Sequence, residues 1–348
     1  MSAAATTPIP APVTGPVTPE RILQFAFGYA PPLILEAAIR HHVFDTLDFG
    51  PKSLHQIHLD TGASERGLAN ILNALAGLEF LNKDKDGIYS LTAESAAFLV
   101  STKPSFQGGV IRHTSLQLVP KWLQLNEVVH TGKPAAAVNR ESTGGDFFKE
   151  FVNDIFPMSY PAAQELAQHL ELSARDNAVK VLDLAAGSGV WGIALAQSSP
   201  GVHVTALDWP EVIPVTTSTV GRFGLQDRFT FVEGDLQQAD FGTGHDVATL
   251  GHILHSEGME RSKLLLQKTF AALAPGGIIA IAEFLVNADR TGPLNGLIFA
   301  VNMLVNTDDG DTYSLEEIGD WLREAGFAEV RTLATRGPSP LILATKPR

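Results

Sequence analysis

The spacing of apolar residues changes regime along the chain. From Thr18 to about Val43 they recur at helical spacing, with Thr18 as a candidate cap and the Pro31, Pro32 pair placed to break or kink the helix. The segments SLHQIHLDTG and SERGLANILNALAGLEFL each open on a serine in capping position and carry apolar residues three and four apart, so each predicts a helix. The turn-rich stretch NKDKDGIYSLT follows, separating short extended pieces. Helix, turn, helix and a two-stranded wing is a winged-helix pattern. Residues 106 to 171 read as a helical connector rich in large side chains, among them Trp122, Phe147, Phe151 and Phe156. From about Asn177 strand-length apolar runs alternate with helical ones, which predicts an α/β, mostly parallel sheet covered by helices on both faces. The last two runs, roughly 328 to 334 and 340 to 346, are joined only by ATRGPSP, too short for a crossover helix, so a hairpin and an antiparallel edge strand are expected. The implied organisation is a tail over 1–18, a winged-helix-like domain over 19–105, the connector over 106–171 and an α/β domain over 172–348.

The segment VKVLDLAAGSGVWGIALAQ, residues 179 to 197, carries the chemistry. Val179, Val181, Leu182 and Leu184 read as a strand buried on both faces; Ala185, Gly187 and Gly189 let the backbone turn tightly against a ligand, and the next helix aims its N-terminus there. Gly187, Gly189 and Gly192 with Asp208 also fit a dinucleotide fingerprint. Two residues count against it. Asp183 sets a carboxylate at the strand end, where a pyrophosphate is repelled, and bulky Trp191 interrupts the glycines. A cationic sulfonium and ammonium suit that aspartate, so S-adenosylmethionine is the expected cofactor.

Later acids agree with this. HVTALD is a second strand ending in Asp208, whose carboxylate is placed to accept both ribose hydroxyls, with Trp209 beside it. A third strand, FTFV, runs into Gly234, Asp235 and Leu236; Asp235 can accept from the adenine amino group while Leu236 packs on the ring. A single such acid is as well explained as a helix cap or a solvated loop end. Three acids, each closing a successive strand on the same sheet edge, make coincidence a poor explanation.

At this point the chain resembles the small-molecule O-methyltransferases of plant caffeic-acid type and their bacterial natural-product relatives. The resemblance spans roughly residues 20 to 348 and rests on VLDLAAGSG, ALDWPEVI, VEGDL, GHILHSEGMERSKLLLQKTFAALAPGG, IAEFLV and EEIGDWLREAGF. It implies a seven-stranded Rossmann-like domain with an antiparallel last strand, and an N-terminal winged-helix domain that makes a homodimer. It implies His255, in ILH before a polar turn, as the general base for an acceptor hydroxyl, and Glu283 as the carboxylate that orients it. Ser159 falls where family members contact the methionine end of the cofactor, and Met303 where they line the acceptor ring. Phe299 and Asn302 lie on the same amphipathic segment, and Phe156 in the connector is a further candidate for the acceptor pocket. The acceptor so implied is a flat hydroxylated aromatic or polyketide-like molecule. The chain departs from the family at Ala185 and Ala186, usually glycine, at Ser256, usually aspartate, and at Thr312, where many members carry glutamate; Asp311 is the adjacent candidate substitute.

Composition narrows the alternatives. With 25 basic and 38 acidic residues the net charge is −13, which repels nucleic acid phosphates and counts against a DNA-binding winged helix. The rival readings are a winged-helix regulator that senses a nucleotide-like ligand, and a family member that uses the same cofactor for C- or N-methylation or a non-methylating reaction. Zero cysteines exclude disulfides, thiolate zinc sites and cysteine nucleophiles, and fit a cytoplasmic protein. A metal at His252, His255 and Glu257 lacks further ligands in sequence, so none is expected; nor is a membrane span or a signal sequence.

Overall fold

Serine caps decide where the N-terminal helices begin. The Ser53 hydroxyl accepts from the Gln56 N–H and the Gln56 side chain accepts from the Ser53 N–H, a reciprocal pair that starts the helix Leu54–Thr61. Ser64 starts the next, Glu65–Gly77, which buries Leu68, Leu72 and Leu75. The extended residues around these helices are β1 (Lys52–Ser53), β2 (Leu81–Lys83) and β3 (Ile88–Leu91), paired antiparallel in the order β1-β3-β2. The wing therefore has three strands instead of two, because the capping residue itself pairs with Ile88 and Lys52 with Tyr89. The first helical run is also divided differently from expectation. It breaks at residues 27–29 into Glu20–Ala26, capped at Pro19 and not Thr18, and Ala30–Arg40; Pro31 and Pro32 occupy the first turn of the second helix, where a missing N–H costs little. Residues 20–40 are also, among the described residues, a stretch long and apolar enough by composition to cross a membrane, contrary to the sequence reading, although the break interrupts it.

The structure is a computed structural model describing residues 17–174, 177–337 and 339–348, so the expected tail lies outside the described residues except for Val17 and Thr18. The chain divides into two compact units at Thr92/Ala93. The second holds the helices of the connector and a seven-stranded sheet: β4 (Val179–Leu184), β5 (Val202–Asp208), β6 (Phe229–Glu233), β7 (His245–Gly251), β8 (Leu273–Ala282), β9 (Ala328–Leu333) and β10 (Leu341–Thr345). Their order is β6-β5-β4-β7-β8-β10-β9. The final strand is antiparallel as expected but is not at the edge. It inserts between β8 and β9, antiparallel to both, and β9 takes the edge.

Neighbouring residues of β4 enter opposite layers, as a strand covered on both faces requires. Val181 joins Ile193, Leu195 and Val204 in one apolar cluster, which includes Leu166 of the helix Phe156–His169; Leu182 joins Leu250, Ile281 and Trp321 in the other. The strand order reverses between β4 and β7. The loops leaving the C-terminal ends of β4 to β8 gather at that crevice, where open α/β sheets bind ligands.

Candidate active site

The turn after β4 is built from left-handed residues: Ala185 at φ 51°, Gly187 at 56° and Gly189 at 78°. Thr216 holds it by donating to the Gly187 carbonyl at 2.6 Å. The helix Val190–Ser198 that follows must lie close to the sheet. At Gly192 a Cβ would come within 2.8 Å of Val204 and 2.9 Å of an Asp183 oxygen, so only glycine fits. At Gly251 a Cβ would meet the Trp191 indole at 2.1 Å, which explains a tryptophan among the glycines: its ring fills the space that a bare backbone leaves.

Asp183 corrects the sequence reading. It is fully buried and absent from the cavity wall, its Oδ1 accepting from the Thr249 hydroxyl at 2.7 Å and its Oδ2 from the Gly192 N–H at 2.9 Å. Burial pushes its carboxyl up to about 7, against those hydrogen bonds. It ties the helix Val190–Ser198 to β7 behind the turn. Asp208 does face the cavity. Its oxygens accept from Gly187 N–H and Trp209 N–H, both at 2.7 Å, which fixes the carboxylate and leaves each oxygen a further lone pair; burial raises its pKa to about 6.

The loop after β6 brings Asp235 and Leu236 to the same cavity. Asp235 accepts from the Gln237 N–H at 2.8 Å, and Lys268, which the sequence did not single out, braces the loop by donating to the carbonyls of Leu236, Gln237 and Ala239 at 2.7 to 3.1 Å. Trp209 lines the wall, edge-on to Phe148 at 5.7 Å, and Ser159 reaches it from the helix Phe156–His169. The cavity, about 310 Å³, thus collects hydroxyl acceptors, an apolar ring seat and backbone turns at one end. This donor and acceptor set fits the ribose and adenine of S-adenosylmethionine.

The other end is aromatic and holds the titratable pair. His255 does not end β7 but lies on the single turn Leu254–Glu257, and Glu283 is the first residue past β8. His255 Nδ1 and Glu283 Oε2 are 2.7 Å apart, and the His255 backbone N–H donates to Oε1 at 3.2 Å. Burial works to raise the Glu283 pKa, but the His255 imidazole beside it lowers it further, so the carboxyl ends below its ordinary value. A carboxylate only accepts; Nδ1 therefore carries a proton, and Nε2 is the ring nitrogen that Glu283 does not engage.

Phe299 stands edge-on to the His255 ring at 4.9 Å, and Met303 and Asn302 follow it on the helix Leu294–Asn306. Asn302 Oδ1 is already used, accepting from Trp122 Nε1 at 2.9 Å and Asn306 Nδ2 at 3.1 Å. Phe156 also lines the cavity, stacked on Phe223. Among the described residues, no second acid besides Glu283 is bonded to the imidazole. Thr312 donates to the Gly296 carbonyl, and exposed Asp311 accepts from the Thr312 N–H, so Asp311 does not take that place. Ser256 turns back to the Ile253 carbonyl. Glu257, weighed from sequence as a metal ligand, pairs instead with Arg261 and Gln237; the groups near enough to share a cation are His252, His255 and Glu283, with donor atoms within 4.8 Å. His252, Phe284, His113 and Asn306 also line the cavity and were not among the expected site residues.

The O-methyltransferase domain family matches residues 122–328, and its dimerisation domain family matches residues 23–101. The chain is 30% identical over 324 residues to the 3-hydroxy-5-methyl-1-naphthoate 3-O-methyltransferase of Streptomyces sahachiroi, covering 92% of each chain. It is 28% identical to the tetracenomycin polyketide synthesis 8-O-methyl transferase of Streptomyces glaucescens, over 95% of this chain and 97% of that one. The solved structure of PigF with SAH superposes with a TM-score of 0.80 at 26% identity, covering 95% of this chain and all of that one. The chain therefore belongs to the S-adenosylmethionine-dependent O-methyltransferase family and carries that family's catalytic and dimerisation domains.

Proposed function

We propose that the enzyme methylates a hydroxyl of a small aromatic or polyketide-like acceptor, with His255 as the general base. The observation that carries this is the buried His255–Glu283 pair, set at the aromatic end of a cavity whose other end presents Asp208, Asp235 and Leu236. Its acceptor class is supported by the flat apolar walls from Phe299, Phe284 and Met303, and by relatives named for a hydroxynaphthoate and for tetracenomycin. Asp208 would hold the ribose hydroxyls, Asp235 and Leu236 the adenine, Trp209 the adjoining wall, Ser159 the methionine end, and the turn at Ala185, Gly187 and Gly189 the backbone approach. When bound, the cofactor supplies an electrophilic methyl on a sulfonium.

The protein's own work is positioning and one proton transfer. The phenylalanine walls exclude water and hold the acceptor ring, which converts an encounter into an oriented approach. His255 Nε2 accepts the proton of the hydroxyl, and Glu283 steadies the imidazolium that forms. A homodimer through the N-terminal unit and a cytoplasmic location belong to the same proposal. The test is transfer of a radiolabelled methyl from S-adenosylmethionine to a panel of naphthols and hydroxylated polyketide phenols, with the product mapped by mass spectrometry. Label on oxygen is expected. Label on carbon or nitrogen, or none on any phenol, would refute the reading.

A further inference from the structure

His252 is a polar cavity residue that the reaction above does not use. It lies in the loop between β7 and the His255 turn, held at φ 61° by a backbone hydrogen bond from its N–H to the Ala282 carbonyl at 2.8 Å. Its ring packs on Phe284 at 4.9 Å and sits 6.4 Å from the His255 ring. Burial lowers its pKa to about 4, so the ring is neutral throughout the range in which the enzyme would work. Nδ1 is sealed from solvent and has no hydrogen-bond partner. A neutral imidazole carries one proton, and an N–H buried without an acceptor is the costlier choice, so the proton sits on Nε2, the nitrogen left to the cavity. In the proposed reaction the two histidines thus take opposite parts. His255 offers a nitrogen to accept a proton, and His252 offers an N–H.

We propose that His252 is a specificity-determining contact of the acceptor site, whose Nε2–H donates to a second, sp² oxygen of the acceptor while His255 receives the hydroxyl. The 6.4 Å ring separation, with the rings tilted by 45°, suits an oxygen carried by a substituent meta to the hydroxyl better than one on the neighbouring carbon. The acceptor class is then a phenol bearing a meta carbonyl or carboxylate. An acceptor without that oxygen leaves the Nε2–H unpaired in a water-poor cavity, and this penalty supplies the discrimination.

The inference rests on the acceptor reading above and is tested by binding, separately from turnover. Calorimetry of the protein saturated with S-adenosylhomocysteine would compare 3-hydroxyacetophenone with its near-isostere 3-ethylphenol. Wild type should favour the ketone by about fivefold, the range for one neutral hydrogen bond. The preference should fall to about one in His252→Phe and return in part in His252→Gln, which keeps a donor. Equal affinity in wild type, or an unchanged preference in His252→Phe, would overturn the proposal. Nitrogen-15 NMR of the wild-type histidines needs no variant: a His252 protonated at Nδ1 would also overturn it. A ketone preference with no methyl transfer to any phenol would uphold the contact and refute the catalytic reading instead.

Discussion

At the residue scale, the carboxylates show what a sequence discloses and what it hides. Asp208 and Asp235 could be read as ligand groups because each follows a strand on the binding edge, and both reach the cavity. Asp183 lies inside β4, one residue before its end, and points inward, since strand side chains alternate in direction and only the packing tells which one turns away. Ala185 replaces a glycine in a left-handed conformation that costs an alanine about 1 kcal/mol. The partial burial of its methyl against the neighbouring apolar cluster offsets part of that cost. Asp208 carries a pH prediction. Its ionised form accepts the ribose hydroxyls best, and burial holds its pKa near 6, so affinity for S-adenosylhomocysteine should be full above about pH 6 and weaken below it. Calorimetry giving the same affinity at pH 5 and pH 8 would contradict this role.

At the element scale, the helix Val190–Ser198 is the part that couples the sheet to the ligand turn. Its register is set by Gly192 against Val204 and Asp183. Replacing Gly192 with alanine should cost about 2 kcal/mol by overpacking, seen as a lower denaturant midpoint with unchanged slope. A midpoint within error of wild type would mean that the helix can lift away freely. The strands β4 to β8 were legible because apolar runs ended in turn residues at regular intervals. Two features were not. The two-residue β1 is too short to leave a pattern, and the short β9–β10 connection fixes only that those strands are antiparallel neighbours, not which of them meets β8. His255 was placed by its resemblance, whereas its one-turn helix is too short to be read from periodicity.

At the scale of the whole molecule, the N-terminal unit leaves Ile22, Leu23, Phe25 and Phe27 at least 59% exposed, a contiguous apolar run that a partner copy would cover. Light scattering at micromolar concentration should give a dimer, and Phe25→Asp should shift it toward monomer. A wild-type monomer would refute the dimer. The central claim, however, is that this fold brings a cofactor site and an imidazole base to one cavity so that methyl transfer to oxygen is base-assisted. The most direct measurement is kcat for His255→Gln on the true acceptor, beside its affinity for S-adenosylhomocysteine. Affinity should stay within a few-fold of wild type and kcat should fall by about 10² or more, because the imidazole meets the acceptor and not the adenosine. Near wild-type turnover in that variant would contradict it, since the oxygen would then reach the methyl without a base.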